Sequence, residues 1–318
     1  MKRIFSYLQE YFAEQWNARL FVSTGIFLAL CFAINYGLDA EVAALRTLAH
    51  PFHQFVFYFL FYIIPYGVTV CLHAVFAGER AFLREKNFHL LTTFGFALLA
   101  LYITLHNVPA YVVRQSPSSF AEITLPYLWY YARYASNLLP GLGIIIPLAL
   151  YWYVNDRTRS RFYGFSSSNI NLKTYFAILL FLVPVVLAAS FGADFQSAYP
   201  RFKFGLPANA VGIEKALLIG FFEVCYGVDF IFVELIFRGF LVMAFVRYLG
   251  SGAILPMVVV YAFIHFQKPI GEAIGSIVGG MVLGVISYRT NSIYGGVILH
   301  LGVAYLMEMA GTFQMVMR

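Results

Sequence analysis

Apolar stretches of bilayer length follow one another along most of this chain, and no other feature constrains the fold as strongly. A helix that crosses a hydrocarbon core about 30 Å thick needs roughly 20 mostly apolar residues. With no water to satisfy backbone groups there, crossing segments must be helices or a closed barrel. Candidate spans lie near 20–37, 53–77, 89–106, 138–154, 174–192, 212–248, 254–266, 271–288 and 293–312. The sixth is too long for one straight crossing. The seventh is short, with Pro256 near its start, where a first helical turn tolerates it. The expected fold is all-α: a polytopic membrane helical bundle of about 8–9 transmembrane helices. Composition agrees, at 61% hydrophobic and 11% charged residues, where a soluble domain is about half apolar and a quarter charged.

Composition also excludes several classes of function. The net charge of +6 reads as Lys and Arg on the cytoplasmic side of a membrane. No basic cluster is interleaved with aromatic residues, so no nucleic-acid partner is expected; the partners that composition implies are membrane lipids. Cys31, Cys71 and Cys225 stand singly in apolar segments without C-x-x-C spacing, which argues against a disulfide framework or a thiolate zinc site. The N-terminal MKRIFSYLQEYFAEQWNARLF reads as an interfacial amphipathic helix leading into a retained first span. Loop residues such as Arg80, Arg84, Lys86, Arg157 and Lys173 place the N-terminus in the cytoplasm. The expected location is a bacterial inner membrane.

Two blocks are expected. Residues 1–205 form an N-terminal transmembrane region of unassigned role, with few polar groups inside its spans. Residues 193–211 are a polar connection bearing Pro and Gly. Residues 206–318 then hold most of the ionisable groups within apolar runs: Glu223, Asp229, Glu234, Arg238, His265, His300 and Glu308. Such a residue costs roughly 2.5–3.5 kcal/mol on insertion scales and is a functional candidate by default. At about 1.5 Å of rise per residue, Glu234 lies roughly 20 Å along its helix from Arg247, His265 roughly 16 Å from Ile254, and His300 roughly 12 Å from Ser292. One carboxylate and two imidazoles converging from three helices suit the activation of water. Glu234 is the expected base, with His265 and His300 orienting the water or bonding the oxyanion. Arg238, one turn from Glu234, fixes the carboxylate and lowers the cost of burying it. The plainer reading is a structural ion pair and two interhelical hydrogen-bonding histidines, with Glu223 interfacial and Glu308 solvated at the end of the last span. Gly275, Gly279, Gly280 and Gly284 are expected to let helices approach closely.

Three motifs order these residues. VELIFRG at 233–239 matches E-E-x-x-x-R-G, YAFIH at 261–265 matches F-x-x-x-H, and HLGVA at 300–304 matches H-x-x-x-N/D. The approach to the third, GGMVLGVISYRTNSIYGGVILH, carries a Gly-rich helix and an R-T-x-S-I turn. In these motifs the segment resembles the CPBP family, the CAAX-protease and bacteriocin-processing group to which the type II CAAX prenyl endopeptidases belong. The resemblance covers about 100 of 318 residues. It implies a helical membrane fold around a buried conical cavity, where a Glu activates a water that attacks a peptide bond and two His and an Asn line the site. It favours a metal-free mechanism; zinc is the alternative cofactor, with Glu234, His265 and His300 as its ligands. The sequence departs twice: Val233 stands where the first Glu of the pair belongs, and Ala304 where the Asn or Asp of the third motif belongs. Helical spacing offers a replacement for each, because Asp229 lies one turn before Val233 and Glu308 one turn after Ala304. On this resemblance the expected function is an intramembrane endopeptidase using a Glu-activated water, with a peptide or membrane-protein substrate. The alternative is a catalytically inactive CPBP relative acting as a membrane binding or immunity protein.

Overall fold

The computed structural model describes residues 2–115, 124–158, 161–166 and 170–317, and every regular element among them is helical. In chain order these are α1 Lys2–Gln15, α2 Ala18–Leu38, α3 Ala40–Thr47, α4 Pro51–Phe76, α5 Lys86–Gln115, α6 Thr124–Tyr151, α7 Leu172–Ala189, α8 Ala193–Ala198, α9 Gly212–Glu234, α10 Val246–Leu249, α11 Ile254–Phe263, α12 Ile270–Thr290 and α13 Tyr294–Val316. Local chemistry sets several starts. The Asn17 side chain accepts the Leu20 N–H ahead of α2, an N-cap, and Pro51 opens α4 where a missing N–H costs nothing. Among the described residues, eight segments are long and apolar enough to cross a membrane.

The run 212–263 counts as one of those eight, but it is not one rod. α9 ends at Glu234, and Leu235–Ala244 continues as a π-helix. The chain passes α10 and reverses at Gly250, whose φ of 54° suits a residue without Cβ. α11 then has 10 residues, all of them buried. That is about 15 Å of helix, half the thickness of a bilayer core. The stretch expected as a seventh span is therefore a short central helix walled by α4, α12 and the π-helix. Two glycines make this possible. A Cβ at Gly280 would stand 2.9 Å from the Tyr261 ring, and one at Gly284 would stand 2.8 Å from Met257. Gly275 and Gly279 meet nothing within 4 Å, so the close-packing stripe comprises two of the four expected glycines.

One hydrophobic core joins both halves of the chain: Tyr11, Leu28, Tyr62 and Phe96 belong to the same cluster as Phe240, Met257 and Tyr261. The early helices also hold the loop 264–269 that follows α11. Asn35 donates to the Phe266 carbonyl and accepts the Glu41 N–H. Tyr36 donates to the carbonyls of His265 and Lys268, and Gln267 donates to Glu41 at 2.7 Å. Glu41 lies between spans, and burial pushes its carboxyl up to about 7. At the other end of the bundle, Glu10 and Glu14 of α1 pair with Arg289 at the end of α12. Tyr11 is buried in the core, so α1 is packed into the protein as well as lying beside the first span.

Candidate active site

The junction of α9 with the π-helix puts Glu234 and Arg238 at the centre of the molecule, both with fully buried side chains. π-helical turns are uncommon and cluster at functional sites. Arg238 Nη1 donates to Glu234 Oε1 at 2.9 Å, and the guanidinium stacks over Tyr261 at 4.0 Å from the ring centroid, a favourable cation–π contact. The same Oε1 receives His300 Nδ1 at 2.9 Å. Gly296 makes the approach possible, since a Cβ there would stand 2.1 Å from Glu234 Oε2. His300 Nε2 lies 3.2 Å from the Tyr261 hydroxyl, and Phe230 packs its edge against the His300 ring at 4.6 Å between centroids.

His265 hangs from the same tyrosine: its Nδ1 lies 2.8 Å from the Tyr261 carbonyl oxygen. A carbonyl only accepts, so Nδ1 carries a proton and Nε2 keeps its lone pair in the neutral ring. No protein group among the described residues bonds that Nε2. For His300 the Glu234 carboxylate fixes Nδ1–H, which leaves Nε2 to accept from the Tyr261 hydroxyl. Arg238, Glu234, His300 and Tyr261 thus form one chain of contacts, with His265 tied to its far end. Glu234 Oε2, Arg238 Nε and Arg238 Nη2 have no hydrogen-bond partner among the described residues.

The two residues expected to replace missing motif positions bond other partners than the Glu234–His300–Tyr261 chain. Asp229 faces α5, where its carboxylate meets the Tyr102 hydroxyl and His106 Nε2. Val233 packs against the main core. Ala304 lies in an apolar cluster with Phe222 and Tyr226. Glu308, one turn on, accepts the Arg201 N–H with both oxygens at 2.8 Å and is 4% exposed. It anchors the segment after α8 to α13 and is not a solvated helix end. Both carboxylate oxygens of Glu223 are enclosed, and the side chain faces the Glu308 carboxylate. His106 and Tyr102 were not singled out by the sequence reading. A signal existed: YITLH at 102–106 repeats the Tyr-x-x-x-His of YAFIH at 261–265.

Glu234 Oε1 is committed to Arg238 and His300. Among the described residues, no three His, Cys, Asp or Glu side chains are grouped so as to hold a metal ion.

Residues 215–306 match the family model described as type II CAAX prenyl endopeptidase, Rce1-like. The match supports membership of this segment in the CPBP family. No curated protein and no solved structure matches the chain. The Rce1-like segment contains Glu234, Arg238, Tyr261, His265 and His300, and it ends before Glu308. The groups that hold the His265 loop from outside, Asn35, Tyr36 and Glu41, lie in α2 and α3, as Tyr102 and His106 lie in α5. Side chains outside the matched residues therefore contact the Rce1-like segment.

Proposed function

We propose that the chain is a membrane-embedded endopeptidase of the CAAX-protease type that cleaves a peptide bond with an activated water. One observation carries this reading: within the Rce1-like segment, His265 has its Nδ1 proton held by a backbone carbonyl and its Nε2 unbonded by any described residue, beside the Tyr261–His300 pair. On this reading His265 Nε2 takes a proton from water as the oxygen attacks the carbonyl carbon. The Tyr261 hydroxyl, turned from His300, donates to the oxyanion. Glu234 has no exposed surface and reaches no water itself, so it serves as the anchor of His300 and counter-charge of Arg238, in place of the base expected from the sequence. No step needs a metal, and a chelator such as 1,10-phenanthroline is expected to leave the rate unchanged. A prenylated peptide ending in a CAAX sequence is the substrate class the family suggests. The N-terminus is cytoplasmic on this reading, as the basic loop residues imply.

The test is cleavage of an internally quenched, farnesylated CAAX peptide by the purified protein in liposomes. His265→Ala is expected to lower kcat by about 100-fold or more. A second reading, a relative that keeps the fold without the chemistry, is favoured by Val233 at the first motif position and by the enclosed Glu234. It predicts no cleavage of this peptide by the wild-type protein.

A further inference from the structure

The helix that supplies Glu234 carries a second polar contact. Asp229 Oδ2 lies 3.1 Å from His106 Nε2, and the Tyr102 hydroxyl donates to Asp229 Oδ1. His106 Nδ1 lies 2.9 Å from the Tyr102 carbonyl oxygen, and the two rings meet edge to face at 4.7 Å. His265 stands in the same relation to Tyr261, with Nδ1 at 2.8 Å from the carbonyl four residues back and the rings at 4.7 Å. Each Tyr-x-x-x-His therefore ties its Nδ1 proton to the helix and directs Nε2 away from it. The copies differ in what Nε2 meets: for His265 no protein group among the described residues, for His106 a carboxylate.

That difference has a chemical consequence. Nδ1 of His106 must carry a proton, because its partner only accepts. Nε2 and a carboxylate oxygen at 3.1 Å both have lone pairs, so their contact needs a second proton between them. The couple holds that proton whether it is written as imidazolium–carboxylate or as imidazole–carboxylic acid. Among the described residues, the titratable groups facing His106 are Tyr102 on its own helix and Asp229 on α9. The adjacent Asn107 bonds Gln54 of α4, and both are uncharged.

The couple adjoins the site. Asp229 is one turn before Val233, and Phe230 beside it packs on His300. Tyr58 of α4 interacts with both Asn107, next to His106, and Gln267, two residues after His265. His106 and Asp229 retain 27% and 15% of their side-chain exposure, whereas Glu234 retains none.

We propose that the Asp229–His106 couple, positioned by Tyr102, is the acid of the peptidase reaction. This rests on the endopeptidase reading. As the water oxygen bonds to the carbonyl carbon, one of its protons passes to His265 Nε2. As the C–N bond breaks, its electron pair stays with nitrogen, which takes the proton held between Asp229 and His106. The proton on His265 returns through site water to the couple, and one acid and one amine leave.

The test is the pH profile of hydrolysis of the same farnesylated peptide in liposomes. A general acid must be protonated, so it sets the alkaline limb of the profile. His106→Gln is expected to lower kcat about 100-fold with KM little changed, and to remove that limb. Tyr102→Phe is expected to shift it. Wild-type kcat and an unchanged profile in His106→Gln overturn the proposal and leave the endopeptidase reading standing. No cleavage by the wild-type protein sinks both. If His106→Gln fails to fold, nitrogen NMR of histidine-labelled protein decides. A protonated His106 Nε2 that is lost in Asp229→Asn supports the couple, and an unprotonated Nε2 in the wild type overturns it.

Discussion

At the scale of single residues, the Glu234 carboxylate holds two donors on one oxygen and none on the other, in full burial beside an equally buried Arg238. Breaking a buried ion pair from one side strands the other charge, at about 3–5 kcal/mol. Glu234→Gln is therefore expected to lower the unfolding midpoint strongly, and pairing it with Arg238→Met to recover much of the loss; thermal unfolding in detergent checks both. Tyr261→Phe separates two functions of one residue. The backbone carbonyl that holds His265 stays, while the hydroxyl facing His300 goes. The expected cost in stability is about 1 kcal/mol, with a fall in kcat that a KM measurement should not share. Sequence spacing showed that Glu234 and Arg238 share a helix face, and their pairing follows from that. It could not show what opposes Asp229. Spacing orders residues around one helix, but the opposing side chain depends on how α5 is registered against α9, which no local pattern encodes.

At the scale of elements, the stretches expected to span are all helices, because long apolar runs leave the backbone no other way to satisfy its polar groups. The role of α11 was not legible. An apolar run looks the same whether lipid or protein surrounds it, and here protein does. The loop after it is held by α2 and α3 through Asn35, which bonds the Phe266 carbonyl and the Glu41 N–H. Asn35→Ala leaves both groups unpaired and is expected to cost about 2–4 kcal/mol in thermal or denaturant unfolding. Glu41 adds a pH dependence. Its carboxyl is raised to about 7 in the fold from 4.5, so the folded state prefers the protonated form. That preference is fully present below about pH 4.5 and is lost as pH rises through about 7. Glu41→Gln is thus expected to leave the unfolding midpoint near pH 4.5 little changed and to raise it at pH 8, where the difference is on the order of 2–3 kcal/mol.

At the scale of the whole molecule, the motifs occupy the last third of the sequence but the walls around them do not. Tyr62 and Phe96 share a core with Tyr261, and α4 packs directly on α11. A fragment of residues 206–318 is expected to lack protease-resistant structure in liposomes, and adding residues 1–205 as a separate chain to restore it. Limited proteolysis with and without the added half reads this out.

The 10-residue α11 bears on how the protein is made. A helix of about 15 Å cannot anchor itself across a bilayer, so it has no stable place until α4, α12 and the π-helix surround it. α12 and then α13, with His300, follow α11 along the chain and leave the ribosome after it. The Tyr261–His265 unit therefore settles only after α12 has been made. On the endopeptidase reading, a chain stalled before α12 is membrane-bound yet unable to cut its neighbours, which delays the onset of proteolysis until α12 and α13 are in place.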